Sequence, residues 1–105
     1  MTNLSYTMKL EIDVRVSEFL KQIPPTESLK AFRYIELFEK YQFKLDTRYL
    51  KKVSGTVWEL RPGRVRLYLL VKSPRQIIIY AIIKKSQKIK KQDLKTIHSR
   101  LSEYL

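Results

Sequence analysis

The chain has 105 residues, 44% of them hydrophobic and 30% charged, with a formal net charge of +12. This balance predicts a single globular domain over residues 1–105 rather than a disordered chain. The absence of cysteine and the single histidine exclude a disulfide framework and a thiolate zinc site, so we expect no metal and no other cofactor. The longest apolar run, 77–83, is shorter than the ~20 residues that cross a bilayer. With no signal-peptide pattern at the start, we expect a cytoplasmic protein without membrane contact.

The positive charge is concentrated in one segment of the chain. Residues 47–92 contain thirteen lysines and arginines and one carboxylate, Glu59, whereas residues 1–46 contain seven charges of each sign. The pattern in this segment is mostly that of β-strands, which place alternate side chains on one face. Like charges on one face of a sheet destabilise it, so this distribution indicates a polyanionic ligand.

The chain begins with a predicted strand and a short helix. Apolar and polar side chains alternate from residue 6 to residue 13, a period of two that predicts a strand. Asp13 is suited to cap the helix that follows, whose apolar residues recur at helical spacing over 16–23. The pair Pro24-Pro25 is expected to end this helix.

A second helix is predicted from an N-cap at Thr26 to about Gln42. Leu29 and Phe32 lie off its apolar stripe, so they either pack on the first helix or form part of a partner surface.

The basic half predicts three further strands and a final helix. Residues 43–52 show no period and are expected to form a loop, followed by strands over 57–61, 64–71 and 76–83. From Lys91 onward, leucines and isoleucine at helical spacing predict a docked helix. The predicted fold is therefore α+β in the order βααβββα: an antiparallel meander with two N-terminal helices and a C-terminal helix.

Two motifs in the basic half resemble the RelE/HigB superfamily of type II toxins, in particular its phage-derived HigB-like branch. They are WELRPGRVRLY, from Trp58 to Tyr68, and IIKKSQKIKK, from Ile82 to Lys91. In that branch, a strand ending in W-E-L-R and a later K-K-[ST]-Q-K segment recur in this element order. Here Ile89-Lys90 stands where the branch has Thr-Pro, and the loop after WELR is very short.

The resemblance implies a ribosome-dependent endoribonuclease toxin that cuts mRNA by metal-free attack of a ribose 2′-hydroxyl on the adjacent phosphodiester. It also implies ribosome-bound mRNA and ribosomal RNA as partners, and a small antitoxin, of helix-turn-helix type in some pairs. Two alternatives stay open: a ParE-like gyrase inhibitor of the same fold, and a non-catalytic nucleic-acid-binding protein of phage origin.

The candidate catalytic residues are Arg66, Arg61, Glu59 and Lys85. The resemblance gives Arg66 the contact to the scissile phosphate, where we expect a solvated side chain on the strand face, and gives Lys85 the place of a late cation. Arg61 either binds phosphate or pairs with a carboxylate of the helices. Glu59 either takes the 2′-hydroxyl proton or organises the arginines.

The candidate RNA-binding residues are cations of the same segment together with one amide and one aromatic side chain. They are Arg64, Lys84, Gln87, Lys88, Lys52 and Tyr68. His98 falls at the edge of the final helix's apolar stripe, where a structural or surface role is the expectation.

Overall fold

Residues 10–105 are described by a computed structural model as three α-helices and a five-stranded mixed sheet. The elements in chain order are β1 (Leu10–Ile12), α1 (Val14–Gln22), α2 (Pro25–Tyr41), a 3-10 turn (Gln42–Lys44), β2 (Leu50–Ser54), β3 (Val57–Leu60), β4 (Val65–Lys72), β5 (Arg75–Ile83) and α3 (Lys91–Tyr104). The first part of the predicted first strand, residues 6–9, lies outside the described residues. No helix over 10–105 is long and apolar enough to cross a membrane.

The α+β class is confirmed, but the predicted element order is wrong by one strand. The sheet order is β1-β5-β4-β3-β2, with β2 to β5 antiparallel and β1 parallel to β5. β2 lies in and just beyond the segment predicted as a loop. It forms because Leu50 is buried opposite Leu60, and because Gly55, at φ +46°, turns the chain back into β3.

The helix starts show one confirmed cap and one correction. The carboxylate of Asp13 accepts a hydrogen bond from the backbone N–H of Arg15 at 2.8 Å, so Asp13 caps α1 as predicted. The second helix starts at Pro25, not after a cap at Thr26. Proline suits the first helical position because its φ is already helical and its missing N–H is not needed there.

The sheet is buried unequally on its two faces. Helices α1 and α2 cover one face, where Val16, Leu20 and Ile35 pack on Leu67 and Leu69 of β4. The opposite face has a smaller apolar cluster under α3. Its buried members are Val57, Tyr68, Leu70, Ile77, Ile79 and Ile97. A groove lies on this face, beside the smaller cluster.

Hydrogen bonds and ion pairs connect the start of α1 to the end of α3. The buried Asp13 carboxylate accepts hydrogen bonds from the Arg15 guanidinium and from the Tyr104 hydroxyl, and Arg15 also pairs with Glu103 at 2.6 Å. The hydrogen bond from Arg15 is the main reason that the pKa of Asp13 is held far below its usual range.

We expect Asp13→Ala to destabilise the fold by about 2 kcal/mol, because it removes a helix cap and the shared acceptor of Arg15 and Tyr104. A depressed carboxyl pKa stabilises the folded state above the ordinary value near 4 and loses that contribution as the pH falls. Wild type should therefore lose more stability than Asp13→Asn on acidification, measured by denaturant unfolding. An equal loss of stability in wild type and Asp13→Asn would contradict the depressed pKa of Asp13.

Candidate functional site

A groove of about 1230 Å³ lies beside α3 on the less covered face of the sheet. Its walls are the end of β5, the loop of residues 84–90, the exposed side of α1 and the strands β2 and β3. Nine cationic side chains line it: Arg15, Lys51, Lys52, Arg61, Lys84, Lys85, Lys88, Lys90 and Arg100. The six lysines form no ion pair with any carboxylate of the described chain. The groove is therefore strongly positive and suited to a polyanion.

A carboxylate surrounded by donors stands at the inner wall of this groove. Glu59 of β3 is only 9% exposed, and its Oε2 accepts a hydrogen bond from the hydroxyl of Tyr68 at 2.9 Å. Its Oε1 lies 3.2 Å from Nε of Arg61 and 3.9 Å from Nε of Arg66. The register of the sheet produces this cluster, because Glu59 stands opposite Tyr68 on β4 and Lys51 on β2.

The two arginines of the cluster keep unused hydrogen-bonding capacity. Nε of Arg61 and of Arg66 is buried, and neither forms a hydrogen bond of good geometry although Glu59 is close. Buried N–H groups without an acceptor are costly. An anionic oxygen in the groove can contact the exposed part of the Arg61 side chain, as phosphate oxygens commonly do with guanidinium groups, whereas Arg66 does not line the groove.

Arg66 is not the solvated strand residue that we expected. Its side chain is 12% exposed, and it donates to the carbonyls of Gly63 at 2.7 Å and Val65 at 2.9 Å. Burial lowers the pKa of Arg66, an effect that the nearby Glu59 charge opposes. Arg61, in contrast, is 26% exposed, lines the groove and is anchored through one donor to the carbonyl of Thr47.

The rings of the two tyrosines of the groove wall are in contact with other side chains of the protein. Tyr68 is 1% exposed and stacks against Tyr80 with ring centroids 6.3 Å apart, so its ring is closed to bases. Tyr80 donates its hydroxyl to Asp93 and carries Arg100 over its ring at 4.8 Å. These contacts tie the first turn of α3 to the sheet beside Glu59.

The loop after β5 brings most of the other predicted residues to the groove. Lys84, Lys85, Gln87 and Lys88 all line it, and the last three are exposed. The loop is held at its start by a hydrogen bond from the backbone of Lys84 to the carbonyl of Arg64, which continues the β4–β5 ladder.

Two predicted RNA-binding residues point elsewhere. Arg64 does not share the face of Glu59: its guanidinium is bound by Glu27 of α2 at 2.8 Å. Lys52 reaches the rim of the groove, but it pairs with Trp58 across the β2–β3 hairpin and its ammonium lies over that ring at 5.7 Å. By strand alternation, Lys52 is on the side opposite Glu59.

The sequence interpretation missed four cationic groove residues, Arg15, Lys90, Arg100 and Lys51, of which Lys51 lies nearest in the sheet to Glu59. It stands directly opposite Glu59 and is exposed. The signal was the Ser54-Gly55-Thr56 turn, which indicates a hairpin and therefore a strand before it. His98 is exposed on α3 and is not among the groove residues.

Two comparisons with known proteins bear on this site. The family described as "Phage derived protein Gp49-like (DUF891)" matches residues 18–102, which include every groove residue from Lys51 to Arg100. No curated protein matches the chain.

Proposed function

The chain belongs to the Gp49-like phage-derived family, a RelE/HigB-like toxin family, and on this premise we propose that it is a toxin that cleaves mRNA on the ribosome. Membership in a toxin–antitoxin family implies an antitoxin partner. The further steps of the proposal, endoribonuclease activity, mRNA as substrate and the ribosome as its place of action, rest on the chemistry of the groove.

The observation that carries the proposal is the Glu59–Arg61–Arg66 cluster at the wall of a positive groove. A phosphodiester that undergoes attack gains negative charge on its non-bridging oxygens, and preorganised cations lower the barrier most where that charge develops. The side chain of Arg61 is 26% exposed, lines the groove and is held in place by the carbonyl of Thr47. It is the best-placed group for the scissile phosphate, with Arg66 behind it.

The proposed reaction needs no group beyond the RNA and this chain. The ribose 2′-oxygen attacks the adjacent phosphorus, the bond from phosphorus to the 5′-oxygen breaks, and a 2′,3′-cyclic phosphate remains on one product. The leaving 5′-oxygen takes a proton, which we assign to Lys85 in the exposed loop of the groove. The proton of the 2′-hydroxyl passes to solvent.

In this proposal, Glu59 positions the arginines. Both of its oxygens already face donors, Tyr68 on one side and the two guanidinium groups on the other. A carboxylate so engaged has little freedom to reach a 2′-hydroxyl, whereas it holds two like-charged arginines close together at low electrostatic cost.

The lysines of the groove supply binding. Lys51, Lys84 and Lys88 would contact successive phosphates of the mRNA, with Gln87 beside them. Such contacts make binding salt-dependent, by roughly one unit of log-log slope per phosphate contact. Exposed Leu29 and Phe32 of α2, at 53% and 46%, are the proposed anchors for the antitoxin.

The test compares three activities of the purified wild-type protein: cleavage of mRNA on programmed ribosomes, cleavage of the same mRNA free in solution, and inhibition of gyrase supercoiling. We expect cleavage on the ribosome alone. Inhibition of gyrase without cleavage would instead identify a ParE-like toxin, and binding without either activity would identify a non-catalytic nucleic-acid-binding protein.

A further inference from the structure

The β2–β3 hairpin presents different chemistry on its two sides. Lys51 and Glu59 stand opposite each other on the side of the groove. Their chain neighbours Lys52 and Trp58 also stand opposite each other, and strand alternation directs them to the other side. That second side has no role in the proposed cleavage.

Exposed aromatic rings and lysines at the end of α2 and in the 3-10 turn lie next to the hairpin, where Phe43 contacts the partly buried Trp58; together with Lys52 and Trp58 we call them the aromatic–lysine surface. It consists of Lys40, Tyr41, Phe43, Lys44, Lys52 and Trp58. The ring of Phe43 lies 4.9 Å from that of Trp58 at an angle of 53°, which places the 3-10 turn against the hairpin. The ammonium of Lys40 lies over Tyr41 at 5.3 Å, as that of Lys52 does over Trp58.

These rings are only partly used by the core. Phe43 touches buried Phe38 edge-on at 5.5 Å, yet it remains 42% exposed, and Tyr41 remains 43% exposed. Cation–π pairs occur about once per 70–80 residues, so three within the span 40–58, one of them Arg48 over Tyr49, indicate a local concentration of cations around aromatic faces. The three lysines form no ion pair with carboxylates of residues 10–105.

We propose that the aromatic–lysine surface binds single-stranded RNA. Bases stack on exposed aromatic faces regardless of sequence, and lysines beside them neutralise the phosphates between the bases. Phe43 and Tyr41 are the stacking residues, and Lys40, Lys44 and Lys52 are the phosphate contacts. An acidic protein segment would satisfy the lysines but would leave the aromatic faces without a matching partner.

This site goes beyond the proposed cleavage, because Lys52 is the one member that reaches the groove, and Lys40, Tyr41, Phe43, Lys44 and Trp58 do not line it. With the groove on one side and the aromatic–lysine surface on the other, the β2–β3 hairpin lies between two RNA strands. One is the strand to be cut, and the other is a structural RNA that holds the toxin in place. RNA binding at the aromatic–lysine surface therefore does not depend on the cleavage proposal.

The test uses Phe43→Leu, which keeps an apolar side chain but removes the aromatic face. The control is Leu105→Ala, which removes apolar surface from a side chain that is 68% exposed at the end of α3. The probes are a single-stranded oligoribonucleotide and inorganic polyphosphate, which has the charge but no bases. Quenching of Trp58, the single tryptophan of the chain, reports binding at this surface.

We expect Phe43→Leu to weaken oligoribonucleotide binding about tenfold, since stacking contributes ~1–3 kcal/mol per base. Polyphosphate binding should not change, and Leu105→Ala should alter neither affinity. The same ratio should appear in an Arg61→Ala background, which weakens the groove. Unchanged oligoribonucleotide affinity in Phe43→Leu, or an equal loss for both probes, would overturn the proposal. So would an effect of Phe43→Leu confined to antitoxin binding. Thermal unfolding of each variant verifies that it is folded.

Discussion

Arg61→Ala is expected to slow mRNA cleavage on programmed ribosomes by ~10²- to 10³-fold, which corresponds to ~3–4 kcal/mol of transition-state stabilisation. Arg61 lines the groove, its side chain is 26% exposed, and it is held by the carbonyl of Thr47 and by the carboxylate of Glu59. The loss should appear in the rate at saturating ribosomes more than in binding, because charge on the phosphate develops in the transition state.

Two further variants distinguish a loss of catalysis in Arg61→Ala from the effect of one lost charge and from a loss of stability. Arg33→Ala removes the same charge from an exposed site on α2 and should leave the rate within about twofold. Arg66→Ala should lower the free energy of unfolding by about 2 kcal/mol, because it deletes a buried side chain with two hydrogen bonds to backbone carbonyls. An Arg61→Ala protein that is folded and cleaves at the wild-type rate would rule out the assigned site.

Glu59→Gln should weaken ribosome binding, cleavage and stability together. The substitution removes the negative charge between Arg61 and Arg66, so the two guanidinium groups repel each other and move apart. Because the Glu59 side chain is nearly buried, we expect the free energy of unfolding to fall by about 2–3 kcal/mol and the cleavage rate to fall at least tenfold. Denaturant unfolding, ribosome co-sedimentation and single-turnover cleavage measure the three effects.

The alternative role of Glu59 gives a different pattern. If Glu59 is a general base, Glu59→Gln should lower the cleavage rate ~10²-fold or more and leave stability and ribosome binding intact. Tyr68→Phe is the matched control, since it removes the hydrogen bond to Oε2 but keeps the charge. Burial raises the pKa of Tyr68 well above its usual range, so the wild-type hydroxyl remains a donor at any working pH. A selective loss of rate in Glu59→Gln would show that our positioning role is wrong.

Much of the fold followed from local patterns. The period of two in β1 and β4, the continuous apolar run of β5 and the helical spacing in α1 and α3 each reflect how the element is buried against the rest of the chain. β2 was missed because it is an edge strand with one buried side chain, Leu50, so its five residues show no alternation. Edge strands are often charged for this reason, and their pairing is visible only in the tertiary structure.

The groove was predictable in composition but not in geometry. The concentration of cations and the single carboxylate of the basic segment located Glu59, Arg61 and the loop lysines correctly in one region. Sequence spacing could not show that Arg66 bends back onto its own strand, or that Glu27 binds Arg64. The first outcome depends on a backbone carbonyl of the turn before β4, and the second on a carboxylate of α2. The alternation of side chains along a strand describes neither of these groups.

The most direct measurement of the central claim is cleavage of a ribosome-bound mRNA that has a single 2′-deoxynucleotide at the position cut in the all-ribose mRNA. Attack by the 2′-oxygen requires that hydroxyl. We predict that the wild-type protein leaves the deoxy position intact and that the all-ribose product ends in a 2′,3′-cyclic phosphate. Cleavage at the deoxy position at the normal rate would contradict the account.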